Sequence, residues 1–208
     1  MENGVALNVE FWRPLLALIF ASVVIMGSPG PSTISVTAVG AAFGVRRSLP
    51  YATGLITGTV AVLLMVALGV VALVVAIPYG ARLVGAISAI YIVFLAYKIA
   101  TAPPLESGSV HGAAPPFAGG FLLAIANPKA YLAIAAVFAG TTIFAQDHGL
   151  DALVKVALLG LMIVVIHLAW LLAGVSLSRL LRDPVISRVI NISLSAALVI
   201  STVVALLG

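Results

Sequence analysis

Of the 208 residues, 63% are hydrophobic and 8% charged, and the mean hydropathy is +1.28. That excludes a water-soluble core under a charged shell, so the chain reads as an all-α polytopic membrane protein with nothing left over for a soluble domain. The absence of cysteine excludes disulfides and thiolate metal sites, and the net charge of +4 is distributed as membrane topology requires rather than as a nucleic-acid surface.

A bilayer core takes about 20 apolar residues per helical span. A window of that length finds six segments: Phe11–Phe43, Tyr51–Ile77, Leu83–Ala100, Phe117–Phe144, Leu150–Leu177 and Val185–Leu207. Glu2 and Glu10 precede Arg13 with no basic n-region, which predicts that the first segment is kept rather than cleaved. The first and fourth segments are longer than one straight span needs, as bent or interrupted helices would be. Arg46, Arg47, Lys98, Arg179, Arg182 and Arg188 follow segments one, three and five. The opposite side holds Arg13, Arg82 and Lys155 with Glu2, Glu10, Asp147 and Asp151, so the positive-inside rule places both termini outside. A re-entrant broken segment would change that count.

The stretch from Thr101 to Pro116, rich in proline, glycine and serine, reads as a flexible cytoplasmic linker. It divides a single membrane domain, residues 1–208, into three-helix halves at 1–100 and 117–208. Three is odd, so the second half enters the membrane from the opposite side and any repeat is inverted, the arrangement of many secondary transporters. Gly54 and Gly58 in one half and Gly160 in the other follow the breaks described next. The pair Gly54-x-x-x-Gly58, continued by Ala61 and Met65, reads as a close helix contact, within the chain or between copies.

Two prolines interrupt these segments at matching places: Ser28-Pro29-Gly30-Pro31 in the first and Asn127-Pro128-Lys129 in the fourth. Proline removes an amide donor and crowds the carbonyl a turn earlier, freeing backbone dipoles that need a polar partner in hydrocarbon. Ser28-Pro29 and Asn127-Pro128 each read as an N-cap with proline at the first helical position. The amides of Ser32 and Thr33, and of Ala130 and Tyr131, then point to midmembrane without intrahelical partners, and a carboxylate suits them. The alternative is a simple kink, satisfied by a neighbouring helix or hydroxyl.

Lys129 lies about twelve positions into its segment, ~18 Å from the start. An ammonium that deep costs on the order of 3 kcal/mol and sits at the unfavourable, positive end of a helix. A substrate carboxylate would relieve both costs; pairing with backbone carbonyls is the competing reading. Glu2, Glu10, Glu106, Asp147, Asp151 and Asp183 fall at ends or in loops, so a cationic substrate is disfavoured. Carbonyls freed at Ile25, Gly27 and Ala124 could accept from a substrate amine, which fits a zwitterion. The expected substrate site is therefore Ser28, Pro29, Gly30, Pro31, Ser32, Thr33, Asn127, Pro128 and Lys129.

His167, mid-segment with Trp170 one turn on, titrates near neutral pH and is a candidate for proton coupling, or else an interhelical hydrogen-bonding residue. Asn191, Ser193 and Ser195 read as cross-helix hydrogen-bonding residues. No H-E-x-x-H, paired aspartates, thiol or P-loop is present, so neither enzyme, metal nor cofactor is expected. A Ser28/Lys129 hydrolase dyad is set aside because serine before proline at a helix start reads as a cap.

In order and spacing these motifs resemble the LysE/RhtB family of amino-acid exporters over most of the chain. Pro29-Gly30-Pro31 is similar to its early P-G-P, and Gly44, Gly54 and Gly58 to its spaced glycines. Ser88-Ala89-x-Tyr91-Ile92 through Lys98 resembles its G-A-x-Y-L…K run, and Phe117-x-x-Gly120-Phe121 with Asn127-Pro128-Lys129 its F-x-x-G-F…N-P-K. The resemblance implies a six-helix protein of the bacterial inner membrane that exports amino acids or related metabolites on the proton gradient, with a homodimer as one option. Thr59 stands where family members often carry an acid, and Ser48 replaces a glycine. The missing acid argues against lysine or arginine as substrate. A different solute on the same scaffold, or a non-transporting membrane subunit, remains the alternative.

Overall fold

The computed structural model describes residues 2–69, 113–177 and 183–207, with scattered positions from 86 to 101; of residues 2–11 only the backbone is described. Most of the expected third segment and of the linker, with Arg82, Lys98, Glu106, Arg179 and Arg182, lies outside the described residues. Among those described, all regular structure is helical: α1 Glu2–Ala21, a π-turn Ser22–Met26, α2 Pro31–Ala67, α3 Phe117–Ile125, α4 Pro128–Ala139, α5 His148–Leu177 and α6 Pro184–Leu207.

The first expected segment is broken where the prolines fall. The π-turn closes with Gly27 N–H on Ser22 O at 3.1 Å, and after Gly27–Gly30 the chain restarts as α2. That helix has two arms, because Gly44 sits at φ 72°, ψ 175°, a conformation that favours glycine. Ser48 Oγ donates to Val39 O (3.0 Å) and Gly44 O (2.6 Å), fastening the arms across the bend. This is a use for a serine where a glycine was expected. The 31–43 arm is only ~20 Å long and cannot cross a bilayer core alone, whereas the 45–67 arm, ~34 Å, can. The fourth segment is likewise two short helices, α3 and α4, bent by 61° at Ala126–Asn127. The α5 helix is long and apolar enough to cross unbroken.

Glycine sets how these pieces pack. A Cβ on Gly54 or Gly58 would run into the Phe117 and Phe121 carbonyls of α3, and one on Gly120 into Tyr51 O of α2. The Gly54-x-x-x-Gly58 stripe is therefore spent on an α2–α3 contact within the chain. Gly174 of α5 meets the Thr37 carbonyl in the same way, while Gly160 faces open space and is no counterpart of Gly58 in packing. The α2–α5 seam also takes a hydrogen bond from Thr37 Oγ1 to Trp170 O, 3.1 Å. Ser195 of α6 donates to Ala96 O across helices at 2.9 Å, as expected, but Ser193 is exposed. Leu16, Phe20, Leu132 and Leu161 point outward, the distribution acyl chains permit.

Candidate substrate site

The two breaks meet. Asn127 caps α4, its Oδ1 accepting from Lys129 N–H at 3.2 Å with Pro128 at the first helical position, as its sequence predicts. Its Nδ2 crosses to donate to Ser32 Oγ at 2.8 Å. Asn127 is 4% and Ser32 6% exposed, so this is a buried polar bond between the two breaks. Beneath it, Ser35 Oγ donates to Ser32 O (3.0 Å) and accepts from Tyr51 OH (3.1 Å), joining the two α2 arms. None of the Ser35 or Tyr51 contacts was foreseen; a hydroxyl-rich Ser32-Thr33-x-Ser35-x-Thr37 run entering an apolar helix was the available signal.

The first break differs from expectation in its cap. Gly30, extended at φ −169°, is the N-cap and Pro31 the first helical residue, not Ser28 and Pro29. The physical reason is Pro31: its ring disfavours helical geometry at the residue before it, so the helix can begin only after Gly30. Thr33 closes the turn, its Oγ1 accepting from Gly30 N–H (2.8 Å) and donating to Gly30 O (3.1 Å). Ser32 and Thr33 still occupy the second and third helical positions, where amides lack a carbonyl four residues back. Ala130 holds the third position of α4, but its N–H is not free, since it reaches Asn127 O at 3.0 Å.

Lys129 extends from the start of α4 across the first break. Its Nζ donates to Ser28 O (2.6 Å), Ser28 Oγ (2.7 Å) and Pro29 O (2.7 Å). These carbonyls follow the end of the π-turn, the negative end of a helix, so the cation escapes the positive end of its own helix by reaching another's negative end. Three donors on three oxygens fill an ammonium's capacity. Lys129 thus has backbone carbonyls as partners here, and with no lone pair it is no base for Ser28, despite their proximity. Ser28 Oγ in turn donates to Ile25 O at 2.8 Å. Gly27 O accepts from Trp170 Nε1 (3.0 Å) and Ala124 O from Asn127 N–H (3.2 Å), so each carbonyl expected to await an amine already accepts one bond.

Between these elements is a cavity of about 40 Å³, room for a few waters. Of the expected residues, Ser28, Gly30, Ser32, Thr33, Asn127, Lys129 and His167 line it; Pro29, Pro31 and Pro128 do not. Thr59 lines it too, with Oγ1 turned to Leu55 O at 2.8 Å. No carboxylate lines it among the described residues. His167 is 4% exposed; its Nδ1 lies 2.7 Å from Ile163 O one turn back, and its Nε2 is buried without a hydrogen-bond partner among the described residues.

Residues 23–207 match the family model described as LysE type translocator. The chain is 32% identical over 173 residues to proteins named cysteine/O-acetylserine efflux protein from Escherichia coli (strain K12) and Shigella flexneri, an alignment covering 83% of this chain and 87% of each relative. No solved structure matches.

Proposed function

The chain belongs to the LysE type translocator family, and from that premise we propose that it is a proton-driven exporter of small neutral amino acids. It is an integral membrane protein of a transporter family, and we place it in the bacterial inner membrane as six spans in two inverted three-helix halves. The observation that carries the reading is the convergence of both helix breaks, with Lys129, on one cavity. Paired broken helices around a midmembrane cavity suit a zwitterion, whose carboxylate takes helix N-terminal amides and a cation.

In this reading the substrate carboxylate draws the Lys129 ammonium away from the Ser28 and Pro29 oxygens and sits between it and the Ser32 and Thr33 amides. The exchange replaces ion–dipole bonds by an ion pair, so it is favourable where a bare anion in hydrocarbon would not be. The absence of a carboxylate from the described lining supports a neutral rather than a basic side chain. Cysteine and O-acetylserine, named for the relatives, are zwitterions of that kind. His167 is the group that takes the proton.

Counterflow of labelled neutral, basic and acidic amino acids in proteoliposomes, with and without a proton gradient, tests this. Exchange of small neutral amino acids, driven by the gradient and lost in Lys129→Gln, is the expected result. Exchange of lysine or arginine at equal rates, or full activity in Lys129→Gln, would overturn it.

A further inference from the structure

We infer that His167 Nε2 is a shared acceptor at which the substrate's ammonium group and the transported proton compete, so that antiport is coupled by exclusion at a single lone pair. This rests on the exporter reading above and names the contact that reading leaves open, namely what holds the amine.

Ile163 O can only accept, so the 2.7 Å contact requires that Nδ1 carry the ring proton. In the neutral ring Nε2 is then a bare acceptor, pointing away from its own helix. It is buried, belongs to a residue that lines the cavity, and has no partner among the described residues. Buried polar atoms are otherwise paired nearly without exception, with protein or with water, so an orphan on a cavity wall marks a seat for a donor, which water fills when the site is empty and a ligand can take. A substrate ammonium is such a donor, and the upstream carbonyls already accept bonds elsewhere.

Among the described residues, the groups that line the cavity with the ring include no charged acceptor. From α2 the lining presents the hydroxyl residues Ser32, Thr33 and Thr59; the break before α4 presents Asn127, and α4 itself presents Lys129, the one charged side chain of the described lining. Asp151 and Lys155, on His167's own helix, are three turns or more away and bound to each other. An imidazolium at 167 therefore has no acceptor to offer an ammonium, and repels it. Protonation from outside expels the amine; deprotonation toward the inside restores its seat. One site and one lone pair then suffice, with no separate coupling carboxylate at Thr59.

Calorimetry of the purified full-length protein in buffers of different ionisation enthalpy counts the protons. O-acetyl-L-serine binding should release up to one proton at pH values below the imidazole's titration and none above it. Below the imidazole's titration the apparent affinity should fall about tenfold per pH unit, the slope for one competing proton. The des-amino analogue 3-acetoxypropanoate should release no proton. His167→Gln, which keeps an acceptor, should bind with no proton release and a flat pH profile. Imidazole ¹⁵N spectra of the unmutated protein, which has three histidines, supply a second readout: substrate should return one protonated Nε2 to the neutral form. Binding without proton release, a protonated Nε2 that persists with substrate bound, or a pH profile unchanged in His167→Gln overturns the competition and leaves the exporter reading intact. Failure of the unmutated protein to bind any neutral amino acid sinks both.

Discussion

Trp170 donates its indole N–H to the carbonyl of Gly27 at 3.0 Å, so the carbonyl that the first break releases is satisfied by the helix that carries His167. Trp170→Phe keeps most of the ring and removes the donor. A half-buried carbonyl left unpaired costs on the order of 1–3 kcal/mol, and the thermal midpoint of the purified protein should fall by several degrees. Trp170→Leu should fall further, since it also removes ring packing. Equal midpoints for Phe and the unmutated protein would mean that the bond contributes nothing.

The breaks, the Asn127 cap and the depth of Lys129 were legible because proline, a capping amide and a lone cation in an apolar run each have one strong local meaning. The first break caps at Gly30 rather than at Ser28, a choice that local sequence leaves open because Ser28-Pro29-Gly30-Pro31 offers two cap-and-proline pairs. Only the constraint that Pro31 places on Gly30 chooses between them. Lys129's partners are about 100 residues away, and nothing in local sequence names them. The Asn127–Ser32 and Trp170–Gly27 bonds were hidden for the same reason. Asp151 and Lys155, by contrast, are four apart on one helix, a spacing that favours a pair, and they pair at 2.7 Å.

Gly54 and Gly160 separate packing from composition. A side chain at Gly54 would meet the Phe117 carbonyl, whereas one at Gly160 meets nothing within 4 Å. Gly54→Leu should cost more than about 3 kcal/mol or abolish folding, because backbone on both sides must move, while Gly160→Ala should stay within about 0.5 kcal/mol. Size-exclusion profiles and thermal midpoints check both. A Gly54→Leu protein that is folded but changed only in oligomeric state would show that the stripe pairs copies rather than helices of one chain.

Asp151 clamps the loop that follows α4. Its Oδ1 accepts from Ile143 N–H (2.6 Å) and Phe144 N–H (3.0 Å), and its Oδ2 pairs with Lys155 at 2.7 Å. Lys155 donates on to Phe138 O and Thr141 O, over the Phe138 ring. The two side chains are 7% and 9% exposed, so Asp151→Asn leaves a buried cation without its counter-charge, a loss of about 3–5 kcal/mol. Chemical denaturation should show it, together with faster hydrogen exchange at the Ile143 and Phe144 amides. Unchanged exchange there would show that the loop is held by other contacts.

Gly30 leaves the space that the Lys129 side chain occupies. Its backbone is extended, a conformation open to any residue, so alanine brings no backbone strain. The added Cβ would instead come within 2.6 Å of Lys129 Cδ and 2.8 Å of Nζ. The obstacle is the distal part of a flexible side chain, which can move aside only by giving up its Ser28 and Pro29 oxygens, at about 1.5–3 kcal/mol for each charged hydrogen bond that is not remade. Gly30→Ala should therefore lower the thermal midpoint by several degrees, by loss of the Lys129 bonds rather than by backbone strain, and lose amino-acid counterflow as far as Lys129→Gln does. The double variant should lose no more than either single one, because both remove the same interaction. Additive losses in that cycle would mean that Gly30 serves the substrate directly, through space its missing side chain leaves, rather than through the position of Lys129.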